Sequence, residues 1–477
     1  LMLLTSNNIL VASGIQFGTS GARGLVEQFT DPVCAAFTQA FLHVMKQEFT
    51  VERVALGIDR RPSSPAMAAA CAAAAVKLGV EVDYYGVLPT PALALQAMQD
   101  GVPAIVITGS HIPFDRNGIK FYRPDGEITK VDEQAILQAE VEVSSVLPLL
   151  PDESVKARQL YMERYTHLFA ADLLQGKRIG LYEHSAAGRE LNADVLRSLG
   201  AEVISLGRTD TFVPIDTEAV SEEDQQQALA WSAEYNLDAI FSTDGDGDRP
   251  LIADEHGHWL RGDILGLLCA RALNIQALAV PVSCNTAIEK SGSFAEVKRT
   301  RIGSPYVIEG MADLAKQFDR VAGFEANGGF LLQSAVSMEN SVIAPLPTRD
   351  ALLPALMLLA GSALQGKLVS ALLAELPERF TASDRIKDVP TTSSKALIAN
   401  WANNLDAMLE SLHLPGEAIT VDTTDGLRVT LSSGDIVHLR PSGNAPELRC
   451  YAEADDYIKA KTLVNQCLER VQRIVSG

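Results

Sequence analysis

"RVALGIDRRPSSPAMAAACAAAAVKLGVEVDYYG", residues 53–86, decides the fold. Its first seven residues read as a strand running into a loop. Residues 64–79 are dominated by Ala, the best helix former, and predict a helix. "VEVDYYG" (80–86) reads as the next strand. The same order returns in "KRIGLYEHS" (177–185), "GRELNADVLRSLG" (188–200) and "AEVISLG" (201–207), and even the hinge repeats, "LGVEV" against "LGAEV". A third, fainter copy starts at "ALAVPVSCNTAIEKSG" (277–292). Strand–helix–strand units build parallel sheets with helices on both faces. Three related mixed α/β domains are therefore expected. The C-terminal part differs. "AITVDTTDGLRVTLSSGDIVHLRPSG" (418–443) reads as strands joined by turns, and "ADDYIKAKTLVNQCLERVQRIV" (454–475) as a helix with acids supplying its cap and first turn. That makes a smaller α+β domain. The expected boundaries divide the chain into 1–150, 151–257, 258–374 and 375–477.

Bulk properties narrow the function. The 477 residues exceed what one hydrophobic core supports. Net charge is -20, so no global positive field draws in nucleic acid or an anionic membrane. An anionic small substrate would need a local pocket of Arg and Lys. Six cysteines, none at CxxC spacing, speak against a disulfide framework or zinc site and for a reducing compartment, the cytoplasm. "ALLPALMLLAGSAL" (351–364) is too short to span a bilayer and reads as a buried helix, and the N-terminal "LMLLTSNNIL" lacks the basic region of a signal peptide.

The strongest chemical signal is "STDGDGDRP" (242–250), which follows the strand "LDAIF" (237–241). Asp244, Asp246 and Asp248 alternate with residues that include Gly245 and Gly247, which let the loop bend until the carboxylates converge. Three such groups repel one another unless a cation lies between them, and a small set of hard oxygens suits Mg²⁺. Arg249 could grip a phosphate. Three alternatives remain open at this point: an EF-hand closing on Glu255, an aspartyl-phosphate hydrolase, and a solvated acidic turn.

"TGSHIPFDRNG" (108–118) follows the apolar run "PAIVI" (103–107). A strand end feeding a loop is where open α/β sheets place ligands. Ser110 needs activation to act as a nucleophile, and His111 and Lys120 are near it in sequence. No G-x-S-x-G elbow surrounds it, which disfavours an esterase. "HLRPSGNAPELR" (438–449) offers Arg440, Ser442, Gly443, Asn444 and Arg449, the parts of an anion nest. "GFEANGGF" (323–330) sets Glu325 and Asn327 on a Gly-rich loop suited to sugar hydroxyls. "FGTSGARG" (17–24) places Arg23 in what reads as a flexible loop.

Taken together and in order, these five motifs resemble those of the α-D-phosphohexomutase family over nearly the whole chain. "FGTSGARG" resembles the family's N-terminal motif, "TGSHIPFDRNGIK" its serine loop, "DGDGDR" its metal loop, "GFEANGG" its sugar-recognition loop and "RPSGNAPELR" its phosphate loop. The resemblance implies four domains around a central cleft. It implies that Ser110 is a phosphoserine and a metal ligand beside Asp244, Asp246 and Asp248, with Arg23, His111, Lys120 and Arg249 around the transferring phosphoryl group. Glu325 and Asn327 would hold sugar hydroxyls. Arg440, Ser442, Gly443, Asn444 and Arg449 would grip the other phosphate, and Arg301, in "TRIGSPYV" (300–307), would reach the substrate. The implied cofactors are Mg²⁺ and a sugar 1,6-bisphosphate. The implied partner is a phosphosugar, with no nucleic acid and no membrane, for a monomer or homodimer. Phosphate-ester cleavage requires removal of about 20 kcal/mol of barrier, mostly by positioning and charge neutralisation.

Departures concentrate on the sugar side. Ile112 stands where the family has Asn, Asn327 where it usually has Ser, and Asn444-Ala445 where it has Thr-Glu. Gly329 stands where many members have a His near the substrate. These changes argue against an amino-sugar phosphate as substrate, and mannose phosphate is preferred over glucose phosphate.

Overall fold

The computed structural model describes residues 4–18, 21–339, 341–442 and 446–476. The opening stretch forms strand Arg53–Ile58, helix Ser64–Lys77 and strand Glu81–Val87. The other two repeats form as well: Arg178–Tyr182, Arg189–Ser198 and Glu202–Leu206, then Ala277–Pro281, the short helix Ala287–Lys290 and Glu296–Thr300.

The three repeats share one sheet topology. In each, the first strand is central and pairs in parallel with the next two. Arg53–Ile58 lies between Glu81–Val87 and Ala104–Ile107. Arg178–Tyr182 lies between Glu202–Leu206 and Ala239–Thr243. Ala277–Pro281 lies between Glu296–Thr300 and Val321–Phe324. Each third strand then folds back on an antiparallel partner: Arg116–Arg123, Pro250–Ala253 and Phe330–Leu332. The sheets are thus mixed. The connections at these reversals, 108–115, 244–249 and 325–329, are far shorter than the dozen or so residues a parallel crossover needs. They are also the serine, acidic and sugar motifs, so three chemical loops occupy one topological position in three related sheets.

Arg23 does not sit in a loop. It lies in strand Gly21–Leu25, opposite Gly118 of strand Arg116–Arg123. The glycine-rich composition that suggests flexibility serves close strand packing: a Cβ on Gly118 would lie 2.7 Å from the carbonyl oxygens of Ala22 and Thr108.

The C-terminal sheet is antiparallel in its five strands, in the order Phe380–Lys387, Glu447–Ala454, Ile436–Pro441, Leu427–Leu431, Ala418–Asp422. Helix Tyr457–Ser476 covers it with Leu463, Val464, Cys467 and Val471. Asp456 precedes this helix and accepts from the Lys459 N–H at 2.9 Å, while the first turn itself carries no acid. An apolar cluster runs from Ala55 and Tyr85 through Leu181 and Phe241 to Leu278 and Phe324, so the first three sheets share a core. The C-terminal sheet packs a separate one around Trp401, Leu412, Val437 and Cys467.

Residues 352–364 fall within helix Leu352–Gln365, with Ala351 just before it; Pro354 occupies the first turn and breaks no internal hydrogen bond. Among the described residues no helix is long and apolar enough to cross a membrane. All six cysteines are buried as free thiols.

Candidate active site

The three reversals meet. Ser110, in the left-handed backbone region at φ 54°, is fully buried and donates from Oγ to Asp244 Oδ2 at 2.8 Å. Its own N–H donates to Thr108 Oγ1 at 2.9 Å, which holds the strained turn. Gly245 is needed opposite: a Cβ there would lie 3.0 Å from both the Ser110 carbonyl oxygen and the Phe212 ring.

Asp244, Asp246 and Asp248 are almost wholly buried, and one oxygen of each lies within 4.8 Å of the others. That burial rules out a solvated turn. Glu255 bonds Ser370 and is remote from the trio, and the flanking elements are strands, which removes the EF-hand. Burial, then the charges of Asp246 and Asp248, push the Asp244 carboxyl well above its ordinary range. Burial opposes ionisation of Asp248 too, but Lys120, Arg349 and Arg249 outweigh it and hold the group low. Asp246 Oδ1 and Asp248 Oδ1 are buried without a hydrogen-bond partner among the described residues. Converging hard oxygens, two of them orphaned, and one carboxyl destabilised by its neighbours fit a divalent cation such as Mg²⁺.

Cations surround the trio. Lys120 Nζ, from strand Arg116–Arg123, donates to Asp246 Oδ2 at 2.6 Å and Asp248 Oδ2 at 3.1 Å. Arg249 donates to His111 Nδ1 at 2.9 Å. A guanidinium only donates, so Nδ1 is the acceptor and the imidazole proton sits on Nε2. Burial, then Arg249, push His111 well below its usual range and keep it neutral. The half-buried Arg23 is drawn down to about 10 by burial and by Arg249 and Arg349. Glu325 and Asn327 are buried on the third reversal, and Asn327 Oδ1 accepts from the Gly329 N–H at 2.9 Å.

Several residues of this site carry no motif. Arg61 donates to four carbonyls, including those of Ser110 and Ile112, and so shapes the serine loop. The segment 208–220 lies across the site: Phe212 stacks 4.0 Å from the Arg61 guanidinium, and Thr217 donates to the Asn327 carbonyl at 2.7 Å. Arg349 joins Asp248 Oδ2 at 3.0 Å to Glu325 Oε2 at 3.2 Å. The Arg60–Arg61 pair, one residue beyond strand Arg53–Ile58, is the one local signal for Arg61; the others have none.

The C-terminal motif approaches this cluster through Arg449, whose charge acts on His111, Asp216 and Glu218. Arg440 donates to Asp425 Oδ1 at 2.9 Å, and Asp425 Oδ2 accepts from the Ile302 N–H at 2.9 Å. The Ser442 N–H donates to the Glu447 carbonyl at 2.8 Å. Among the described residues, Arg449 Nε is buried without a hydrogen-bond partner. Arg301 is exposed, with its guanidinium 5.3 Å from the centre of the Tyr306 ring. Gly443 and Asn444 lie outside the described residues.

His438, behind Arg440, gives a pH prediction. Its Nε2–H donates to the Asp425 carbonyl at 2.6 Å, and the buried Nδ1 has no partner among the described residues, so a second proton there finds no acceptor among them. Burial drives its pKa from 6.5 down to about 4. The unfolded chain therefore binds more protons between those values. The stabilisation from neutral His438 is complete above pH 6.5 and lost as pH falls through about 4. The loss should approach about 3 kcal/mol. Urea titrations of wild type and His438→Gln at pH 7.5 and 4.5 check this; the variant should lose less, and equal losses would refute it.

Comparison with known proteins agrees with this geometry. The chain matches the models for phosphoglucomutase/phosphomannomutase alpha/beta/alpha domain I over residues 14–145, domain II over 159–257, domain III over 261–380, and the C-terminal domain over 373–470. It is 55% identical to a phosphomannomutase of Salmonella muenchen, over 98% of this chain and 97% of the relative. It is 43% identical to a phosphomannomutase of Sinorhizobium fredii, over 95% and 98%. A crystal structure of a phosphoglucomutase/phosphomannomutase family protein from Burkholderia thailandensis superposes with a TM-score of 0.74 at 20% identity, covering 95% of this chain and 96% of that one.

Proposed function

This chain belongs to the phosphoglucomutase/phosphomannomutase family, and we propose that it interconverts mannose 1-phosphate and mannose 6-phosphate through a phosphoserine at Ser110. It is a phosphohexomutase, an isomerase that works by phosphoryl transfer. The observation that carries the serine mechanism is Ser110 Oγ, 2.8 Å from Asp244 Oδ2, inside a buried carboxylate trio ringed by cations.

The phosphoryl group on Ser110 passes to the O6 hydroxyl of mannose 1-phosphate. The P–O bond to Ser110 breaks as the bond to O6 forms. The resulting 1,6-bisphosphate turns over in the site, and its 1-phosphoryl group returns to Ser110 Oγ, leaving mannose 6-phosphate. The proton lost at O6 is regained at O1, so the cycle is balanced. Mg²⁺, when held by Asp244, Asp246, Asp248 and the Ser110 side, offsets charge on the moving group. Lys120, Arg249 and Arg23 add fixed positive charge, and His111 offers its Nε2–H as a neutral donor. Glu325 and Asn327 receive the sugar hydroxyls. Arg440, Ser442, Gly443, Asn444, Arg449 and Arg301 hold the phosphate that is not reacting. Burial of Ser110 keeps water from the phosphoserine.

We place the four domains at 1–150, 151–257, 258–374 and 375–477, supported by the separate core of the last sheet. The protein works as a monomer or homodimer in the cytoplasm, a setting that suits its free thiols.

³¹P NMR with Mg²⁺ and a trace of sugar 1,6-bisphosphate tests the reading. Mannose 1-phosphate should be replaced by the 6-phosphate signal, faster than for glucose or N-acetylglucosamine 1-phosphate. EDTA should stop the conversion and Mg²⁺ restore it. Free phosphate would indicate a hydrolase, and binding without turnover a non-catalytic phosphosugar protein; either overturns the proposal.

A further inference from the structure

Gly329 has no room for a side chain. A Cβ built there would lie 2.6 Å from Arg349 Cγ and Cδ and 2.9 Å from its Cβ. Arg349 thus fills the volume that a residue at 329 would otherwise use. It comes from strand Leu346–Asp350, on the far side of the third sheet's last reversal. The strand is pinned at both neighbours of Arg349. Thr348 Oγ1 donates to Glu127 at 2.9 Å and lies 3.0 Å from Tyr122 Oη, both in the first sheet. Asp350 accepts from Tyr161 and Tyr165 of helix Lys156–Thr166. A side chain held this way has little freedom to move. Its Nε donates to Asp248 at 3.0 Å and its Nη1 to Glu325 at 3.2 Å, both pairs almost fully buried. It also lines a small, partly open pocket with Lys120.

We infer that Arg349 is a positioning residue of the reaction, fixing Glu325 on the sugar side to Asp248 on the metal side, and that residue 329 is glycine to admit it. One consequence concerns proton transfer. A guanidinium keeps its proton in proteins. A group that never releases its proton takes no part in acid–base chemistry, so this quarter of the site orients and neutralises only. Another concerns the metal. Arg349 competes with a cation for Asp248, which tunes affinity downward.

The inference rests on the phosphohexomutase reading for its kinetic arm and on the site alone for its binding arm. Full-length Arg349→Met, Arg349→Lys, Arg349→Ala, Gly329→Ala and the Gly329→Ala/Arg349→Ala double variant would be compared. KM for mannose 1-phosphate should rise about 10- to 100-fold in Arg349→Met through loss of Glu325 placement, and kcat should fall by a similar factor. Arg349→Lys should recover part of kcat and little of KM, because an ammonium is a point charge without the fork. Gly329→Ala alone should lower kcat/KM about tenfold, yet add much less in the Arg349→Ala background, since the Cγ and Cδ that lie 2.6 Å from the new Cβ are gone. Calorimetric Mg²⁺ titration of Arg349→Met without sugar should show about threefold to tenfold tighter binding. Thermal unfolding screens for variants that fail to fold; if Arg349→Met does, Arg349→Lys and Gly329→Ala carry the kinetic test. Independent, multiplying effects of the two substitutions would overturn the role of Gly329. Unchanged KM together with unchanged Mg²⁺ affinity in a folded Arg349 variant would overturn that of Arg349. A wild type inert toward every sugar phosphate, with the Mg²⁺ shift intact, would instead fault the assigned reaction.

Discussion

Ser110→Ala should lower kcat by about four orders of magnitude or more, the scale seen when a covalent nucleophile is removed. The expectation follows from where Ser110 sits. Its Oγ faces the buried carboxylate trio; among the described residues the other side-chain hydroxyl bonded to those carboxylates is that of Thr90, which donates to Asp246 Oδ2 at 2.7 Å from the start of a helix. The substitution is structurally mild. Alanine and serine suffer the same strain at φ 54°, and the turn is held by the Ser110 backbone N–H, which alanine keeps. Only one hydrogen bond to Asp244 is lost, worth about 1 kcal/mol. A collapse of activity with a nearly unmoved urea midpoint therefore isolates chemistry from folding. Mass spectrometry after incubation with a sugar 1,6-bisphosphate should add one phosphoryl group to wild type and none to the variant. A variant that keeps turning over within tenfold of wild type would rule out phospho-Ser110.

The repeated strand–helix–strand pattern was legible because its signals are local: an Ala-rich helix, branched residues on either side, a glycine hinge. The acidic loop was legible for the same reason, since its three carboxylates lie within five residues. Arg349 was not. It sits in "PLPTRDALLP" (345–354), a stretch whose local pattern reads only as the approach to a buried helix. Its meaning depends on Asp248, 101 residues away, and on Glu325 across a strand reversal. The segment 208–220 was invisible too, because irregular structure has no periodicity to read, and Phe212 gains its role only from Arg61 in another repeat. Around Arg23 the sequence points the wrong way: glycine suggests freedom, whereas here it permits backbones to approach. Composition predicts what one segment can do by itself. It does not say which segments the topology stacks at one end of three sheets.

Arg61→Met should produce the largest loss of stability of any single change discussed, about 3–5 kcal/mol. Arg61 is 1% exposed and pairs through Nε with Asp59 Oδ2 at 3.2 Å. Its two terminal nitrogens donate to Ile112 O at 2.7 Å, Pro113 O at 2.8 Å, Arg116 O at 2.9 Å and Ser110 O at 3.1 Å. Methionine matches much of the stem but leaves a buried carboxylate and several carbonyls without donors. Burial already pushes Asp59 above its ordinary range, and Arg61 is the first of the groups holding it down. The guanidinium also packs against Gly109, where a Cβ would lie 2.6 Å from Arg61 Cζ. Lysine is no remedy: it keeps the charge but cannot present five donors in one plane. Arg61→Lys should therefore recover the Asp59 pairing and part of the stability, while the serine loop stays misplaced. A displacement of about 1 Å at Ser110 is enough to cost about 100-fold in kcat. Urea unfolding read alongside kcat separates the two roles. Stability restored by lysine with kcat still depressed would show that the fork, rather than the charge, sets the nucleophile in place. Full recovery of both would mean that Asp59 alone needed a partner and that the four carbonyl contacts contribute nothing to positioning.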